Sequence, residues 1–285
     1  MCIRDRQKTS LSESGKRHMR IRFHRTADSS VWDAVQESIT EVFVLKVRIK
    51  FEKTDQMRFI GHLDLMRYFQ KAMRRADIPI KYSEGFSPHQ IMSFGAPLSM
   101  GVSGLGEYMD IELKEASHIS SKDALERLNA VMCTGMKIKK FLQIPDDSKP
   151  AMALMDTADF KAEFKESVSQ DEIKKAIDKL LSRESILLTK ISKKKKKNEY
   201  GKFVEVETTS VTDIKPYIYK LEAIENGVFM HLSQGSTNNI KPAFVMDFLA
   251  EEGLEGAKRN EYYLYRLDMY TDEGKALDEY GCEII

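Results

Sequence analysis

The sequence predicts an α+β protein made of two tandem ferredoxin-like halves, each with the split βαβ pattern. Segments in which apolar side chains alternate, as in half-buried strands, are interspersed with segments in which they recur every three or four residues, as in amphipathic helices. The order strand, helix, strands, helix, strand occurs twice along the chain. A stretch containing two prolines and two aspartates separates the two occurrences and predicts a linker at 146–157.

The first half, 44–145, begins with a strand at 43–51 whose apolar side chains alternate with basic ones. The other face of this strand is predicted to be basic and exposed to solvent, and it is formed by Lys46, Arg48 and Lys50. A helix from about Leu63 to Ala76 follows, and its predicted buried stripe consists of Leu63, Met66, Phe69, Met73 and Ala76. The remaining predicted elements are strands at 78–82, 90–94 and 106–113, a helix at 120–132 and a strand at 137–144.

The second half, 158–285, is predicted from the same kinds of signal. Ser169 is the expected N-cap of its first helix, and Asn226-Gly227 is a hairpin turn signal. The predicted elements are strands at 160–164, 186–191, 203–211, 217–223, 228–232 and 262–269, with helices at 169–181 and 241–249. Residues 1–43 are polar and rich in Ser and Arg without a sustained period, so we expect a disordered or non-native extension there.

Composition limits the class of protein. The chain is 42% hydrophobic and 31% charged, as soluble globular proteins are. It has no apolar run near the roughly 20 residues that span a bilayer and no apolar signal segment. Its cysteines, Cys2, Cys133 and Cys282, are odd in number and far apart, which excludes a disulfide framework and a Cys-x-x-Cys motif. We therefore expect a cytoplasmic protein with no membrane partner, no cofactor and no resident metal.

The candidate site lies between Arg58 and Gly101, where polar residues stand beside glycines and prolines. His62 and His89 are its candidate catalytic residues, because two converging histidines can act as general base and general acid on a phosphodiester. The same pair can bind a metal together with Asp64 or Glu84. The structural alternative is that His62 caps the helix and His89 bonds a loop carbonyl.

The same stretch predicts contacts to an anionic ligand. Basic residues fall on one face of the first helix, and the Gly-containing turn after it lets a backbone approach phosphate or RNA and offers an aromatic ring for stacking. The predicted RNA- or ligand-binding residues are Asp64, Arg67, Lys71, Arg74, Arg75, Glu84, Gly85, Phe86 and Ser87. Five lysines at 193–197 indicate either a solvated hairpin tip or non-specific nucleic-acid contact.

Four stretches carry a family resemblance: Lys50-Phe-Glu-Lys, Arg58-Phe-Ile-Gly-His-Leu-Asp-Leu-Met-Arg, Tyr82-Ser-Glu-Gly-Phe-Ser-Pro-His and Met92-Ser-Phe-Gly-Ala-Pro-Leu. From about Val44 onward the chain resembles the radical SAM-associated (radical SAM-linked) family, a bacterial domain-of-unknown-function family. That resemblance implies a bacterial cytoplasmic protein whose partner is a radical SAM protein and which serves an RNA-directed or radical SAM process. The chain lacks the Cys-x-x-x-Cys-x-x-Cys that ligates a radical SAM cluster, so it is not expected to be that enzyme itself. The element order also looks like that of CRISPR repeat-processing endoribonucleases, which is a likeness of fold alone.

Three hypotheses follow from these residues. The leading one is a non-catalytic accessory protein to a radical SAM enzyme, which binds RNA or a ribonucleoprotein in RNA modification or processing. The second is a metal-independent endoribonuclease that uses His62 and His89. The third is a purely protein-binding subunit of a radical SAM enzyme.

Overall fold

The computed structural model describes residues 45–114, 119–197, 203–235 and 238–285. The N-terminal extension predicted at 1–43 lies outside the described residues. The strands are β1 (Leu45–Lys53), β2 (Met92–Phe94), β3 (Ser103–Leu113), β4 (Met136–Gln143), β5 (Thr157–Phe164), β6 (Leu187–Lys197), β7 (Phe203–Asp213), β8 (Ile218–Ile224), β9 (Gly227–Ser233), β10 (Tyr262–Tyr270) and β11 (Cys282–Glu283). The helices are α1 (His62–Arg75), α2 (Ser121–Val131), α3 (Ala151–Leu154), α4 (Gln170–Ser182) and α5 (Pro242–Glu251).

Nine of these strands form one sheet, in the order β11-β4-β1-β3-β10-β5-β9-β8, with β2 also paired to β3. The first half contributes β4-β1-β3-β2 and the second half β10-β5-β9-β8, and all neighbours within each half are antiparallel. Both halves therefore have the strand order fourth, first, third, second, which is that of the split βαβ pattern. A short parallel contact between β3 and β10 joins them. The predicted α+β class is confirmed.

Helices cover one face of this sheet. In the first half α1 and α2 pack on apolar side chains of β1, β3 and β4, and in the second half α4 and α5 pack on those of β5, β8, β9 and β10. Ser169 accepts a bond from the backbone of Glu172 and starts α4 as predicted, with a complete capping box. We call the opposite face, which these four helices leave uncovered, the front face.

The buried stripe of α1 differs from the predicted one at its first position. Leu65, Phe69 and Met73 are buried, whereas Leu63 is 62% exposed. Two residues correspond to a rotation of about 200° around a helix. With Leu65 turned into the core, Leu63 must therefore point away from it.

The predicted solvent exposure of the basic face of β1 is wrong. Arg48 is fully buried, because residues 146–151 and the segment 277–283 cross the front face of the first half. Arg48 donates to the carbonyls of Lys149 and Leu277, at 3.1 Å each, and Lys46 donates to the carbonyl of Asp146. The alternation of β1 was predicted correctly. The segments that cover its basic face lie about 100 and 229 positions from Arg48 in the chain.

Two other elements refine the prediction. The expected strand at 78–82 consists of isolated bridges at Ile80 and Tyr82. The turn predicted at Asn226-Gly227 joins β8 and β9. The strands predicted at 186–191 and 203–211 are β6 and β7, a hairpin that makes a separate two-stranded sheet. Its base is held where the Ile214 amide donates to Ile186, so the hairpin extends from the second half without joining its sheet.

Candidate functional site

His62 stands at the first residue of α1, after Gly61, whose extended backbone forms the N-cap. Its side chain is exposed at the surface. The ring meets Phe94 of β2 edge-on, with 5.4 Å between ring centroids and an 80° angle between planes. This contact makes His62 part of the packing between α1 and β2.

His89 closes the turn that follows. Its Nδ1 lies 2.8 Å from Ser83 Oγ, and its backbone amide donates to the same oxygen, while its carbonyl accepts from the Ser83 amide. The predicted ligand residues between them, Glu84, Gly85, Phe86 and Ser87, are all exposed. No hydrogen bond or ring contact joins His89 to His62, and each histidine has its own structural partner.

The last turns of α1 carry the predicted basic residues on its solvent side. Lys71, Arg74 and Arg75 line an open cavity of about 320 Å³. None of the three has a carboxylate partner among the described residues. Arg67, one turn earlier, lies 3.5 Å from Asp64, and both of these side chains are about two-thirds exposed. The structure thus leaves three uncompensated cations around one depression.

The front face of the first half holds a buried charge network at its junction with the second. Lys50 of β1 lies 2.5 Å from Asp268 of β10 and 3.4 Å from Asp278. Tyr108 donates to both carboxylates, and burial together with those negative charges raises the pKa of Tyr108 strongly. Burial alone favours the neutral form of Asp278, but hydrogen bonds from Lys140 and Tyr108 hold the pKa of that carboxyl below its ordinary value.

A second buried charge cluster lies on the helix-covered face of the same junction. Arg266 of β10 makes a bidentate contact with Glu107 of β3, with Nε and Oε1 2.7 Å apart. Lys53 lies nearby and donates to the Ile60 carbonyl. Burial lowers the pKa of Lys53, opposed by the charge of Glu107 and reinforced by that of Arg266. Glu107 is therefore the anion that compensates two cations.

Sequence reasoning missed a cluster of aromatic and cationic side chains at the same junction, which we call the Tyr263 cluster. The Arg58 guanidinium lies 4.8 Å from the Phe59 ring centroid and 5.1 Å from that of Tyr263. Lys165 Nζ also lies near this ring, 5.4 Å from the Tyr263 centroid. Tyr265, two residues along β10, completes the cluster. The alternating tyrosines of β10 were a usable signal, but their partner, residue 58, belongs to the other half.

A second missed group lies on the front face of the second half. His231 Nδ1 is 2.6 Å from Asp159 Oδ1, and the Tyr270 hydroxyl donates to the other oxygen of that carboxylate. The rings of Tyr219 and Tyr270 both lie within 6 Å of His231 by centroid. The pairing of β5 with β9 and β10, and of β9 with β8, brings these residues together, so no local pattern in the sequence marks them.

Among the described residues no group of three or more His, Cys, Asp or Glu side chains is arranged to hold a metal ion. In the same part of the chain no helix is both long and apolar enough to cross a bilayer.

Comparison with known proteins gives a family. A family model described as "Uncharacterized protein conserved in bacteria (DUF2344)" matches residues 46–242. The match takes in α1, the turn that ends at His89 and most of the second half. No curated protein matches the chain. Since the matched residues make up more than half of its length, this chain belongs to the DUF2344 family of bacterial proteins.

Proposed function

We propose that this protein binds RNA without cleaving it, in the cytoplasm, as an accessory to a radical SAM enzyme. The observation that carries the RNA-binding part is the depression at the end of α1. Lys71, Arg74 and Arg75 surround it, and in the part of the chain that the structure describes none of them pairs with a carboxylate. Polyanion binding draws most of its affinity from cations of this kind, because each phosphate contact releases condensed counterions.

The chemistry of these side chains suits phosphate. Arginine presents a planar set of donors that matches two phosphate oxygens at once, and lysine adds a mobile point charge. The cavity is open, as a site for a continuous backbone must be. Cations in the last turns of a helix also stabilise it, because they lie near its negative C-terminal end. Helix stability therefore explains part of the placement of these residues, and RNA binding is the property to test.

The test is the salt dependence of RNA binding. A fluorescein-labelled single-stranded RNA is titrated with the protein, and anisotropy is followed from low to physiological salt. Changing Lys71, Arg74 and Arg75 together to Glu is expected to reduce the slope of log K against log salt by about 2, since each phosphate contact to a single strand contributes about 0.7. The matched control reverses three exposed cations elsewhere, Lys174, Lys258 and Lys275. Equal slopes for the two variants would remove α1 from the proposal.

The radical SAM partner rests on the resemblance of the motif stretches between Lys50 and Leu98. Its test is co-purification of a tagged chain with the radical SAM protein from the same bacterium, with and without ribonuclease treatment. Retention that survives ribonuclease favours a direct protein contact, and retention that is lost favours RNA as the link. No retention in either case contradicts the accessory role.

Binding is placed ahead of catalysis because His62 and His89 each contact a structural partner and not one another. The endoribonuclease alternative predicts cleavage of RNA in the absence of metal, abolished by His62→Ala or His89→Ala. The proposal predicts that RNA incubated with the protein and a chelator stays intact.

A further inference from the structure

We propose that the Tyr263 cluster is a base-stacking site for single-stranded RNA, separate from the cationic end of α1. The inference rests on the proposed RNA binding and adds a second surface to it. This surface contacts the bases, whereas α1 contacts the phosphate backbone. Exposed aromatic rings and arginine planes are the groups on which proteins stack unpaired bases.

The rings of the Tyr263 cluster are accessible to solvent. Phe59 is 54% exposed and Tyr263 is 39% exposed. Tyr263 pairs with Glu163, and Tyr265 pairs with Lys161 in register. These tyrosines therefore stand on the front face of the second half, the face that α4 and α5 leave uncovered. The rings form an accessible surface.

The cluster also carries positive charge. Arg58 lies over both rings, and its Nε is buried without a hydrogen-bond partner. Within the described residues neither Arg58 nor Lys165 has a carboxylate partner. Lys161, by contrast, lies 2.8 Å from Glu163 and is neutralised. Two uncompensated cations beside exposed rings complement a ligand that is both anionic and aromatic.

The residues of the cluster are held in place by hydrogen bonds. Arg58 and Phe59 belong to Asp55–Phe59, a 3₁₀ turn between β1 and α1. The Thr54 amide donates to the Gly135 carbonyl before the turn, and the Gly101 amide donates to the Arg58 carbonyl at its end. Tyr263 belongs to β10, which is paired along its length to β5. Both sides of the cluster are thus held in place before a ligand arrives.

A single-stranded RNA fits these features better than a protein partner does. The uncompensated cations match phosphates, and the rings together with the Arg58 guanidinium offer flat surfaces on which bases stack. A protein partner would have to neutralise two cations and bury two tyrosines in the same contact. Protein binding at this surface is therefore an outcome that overturns the proposal.

The experiment uses the whole protein and a short RNA in two forms, one with normal bases and one with the central nucleotides abasic. We expect the normal strand to bind roughly 10-fold more tightly than the abasic one. Tyr263→Leu together with Phe59→Leu is expected to remove that difference and to leave the salt slope unchanged. The matched control is Tyr280→Leu, since Tyr280 also lies under a lysine, Lys275, but in acidic surroundings.

The outcomes separate the two proposals. If both strands bind equally and the double variant changes nothing while the α1 variant lowers the slope, stacking is excluded and backbone binding stands. If the double variant removes base dependence while the α1 variant has no effect, the Tyr263 cluster is the RNA site and α1 is not. Failure of any strand to bind at low salt overturns both, as does a partner protein that protects Tyr263 while RNA does not compete with it.

Discussion

At the scale of single residues, the junction between the halves depends on a few carboxylates. Glu107 pairs with Arg266 on the helix-covered face, and its charge raises the pKa of Lys53 against the effect of burial. Asp278 accepts from Tyr108 and Lys140 on the front face. Removing one partner of a buried ion pair costs more than the pair contributes, because the remaining charge stays out of water. Substitution of either carboxylate is therefore expected to destabilise the protein.

Glu107→Gln is expected to lower the free energy of unfolding by about 3–5 kcal/mol, since it leaves two buried cations without an anion. Urea denaturation followed by circular dichroism measures it. The control is Glu273→Gln, which breaks an exposed pair with Lys275 and is expected to change the free energy of unfolding much less, because water screens that pair. Similar losses of unfolding free energy in the two variants would contradict a larger stabilising role for the Glu107 pair.

Asp278 gives a pH dependence with a defined sign. Its pKa is lower in the folded chain than the ordinary value of 3.8, so its contribution is present above that pH and is lost as pH falls below it. Asp278→Asn is expected to destabilise the protein by about 2 kcal/mol at neutral pH. Denaturation at about pH 3 should show a smaller difference between the two proteins. A difference that stays constant between the two pH values would contradict the assignment.

At the scale of elements, the sequence predicted correctly most features that depend on residues close together in the chain. The strand alternation of β1, the Ser169 N-cap of α4 and the turn at Asn226 could be predicted because their causes lie within a few residues of one another. The basic side of α1 was readable for the same reason. The cover over Arg48 was not, because its partner Leu277 is 229 residues away, and the Tyr263 cluster joins residues of opposite halves.

The hairpin β6–β7 offers a test at this scale. Since it forms its own two-stranded sheet, replacing residues 191–209 by Asn-Gly between the paired residues Lys190 and Ser210 should leave the fold intact. We expect the free energy of unfolding to change by less than about 1 kcal/mol. If RNA affinity also stays unchanged, the five lysines at 193–197 are a solvated segment. A collapse of cooperative unfolding would show that the hairpin is part of the core.

At the scale of the whole molecule, the second half completes the first. The last strand, β11, pairs with β4, and the segment before it covers the front face of β1. The buried charges from both halves meet on the two faces of the β3–β10 junction. We therefore expect residues 45–285 to unfold in one transition, with neither half stable alone.

Ending the chain at Tyr270 removes the cover and is expected to reduce hydrogen-exchange protection in β1 and β4, more than 100 residues earlier. Removing Ile285 alone, which is fully exposed, is the control and should have no effect. If protection is lost only around β10, the C-terminal segment is not needed by the first half.

The pairing of β11 with β4 also bears on synthesis. A ribosome adds about 5–20 residues per second, and independent domains fold as they emerge. Here the strand β4 ends at Gln143 and its neighbour begins at Cys282, so the first half must wait roughly 7–28 s for its last strand. Until then the Arg48 guanidinium lacks the Leu277 carbonyl, and Lys50 lacks Asp268 and Asp278. The sheet of the first half is therefore completed only after the second half has been synthesised.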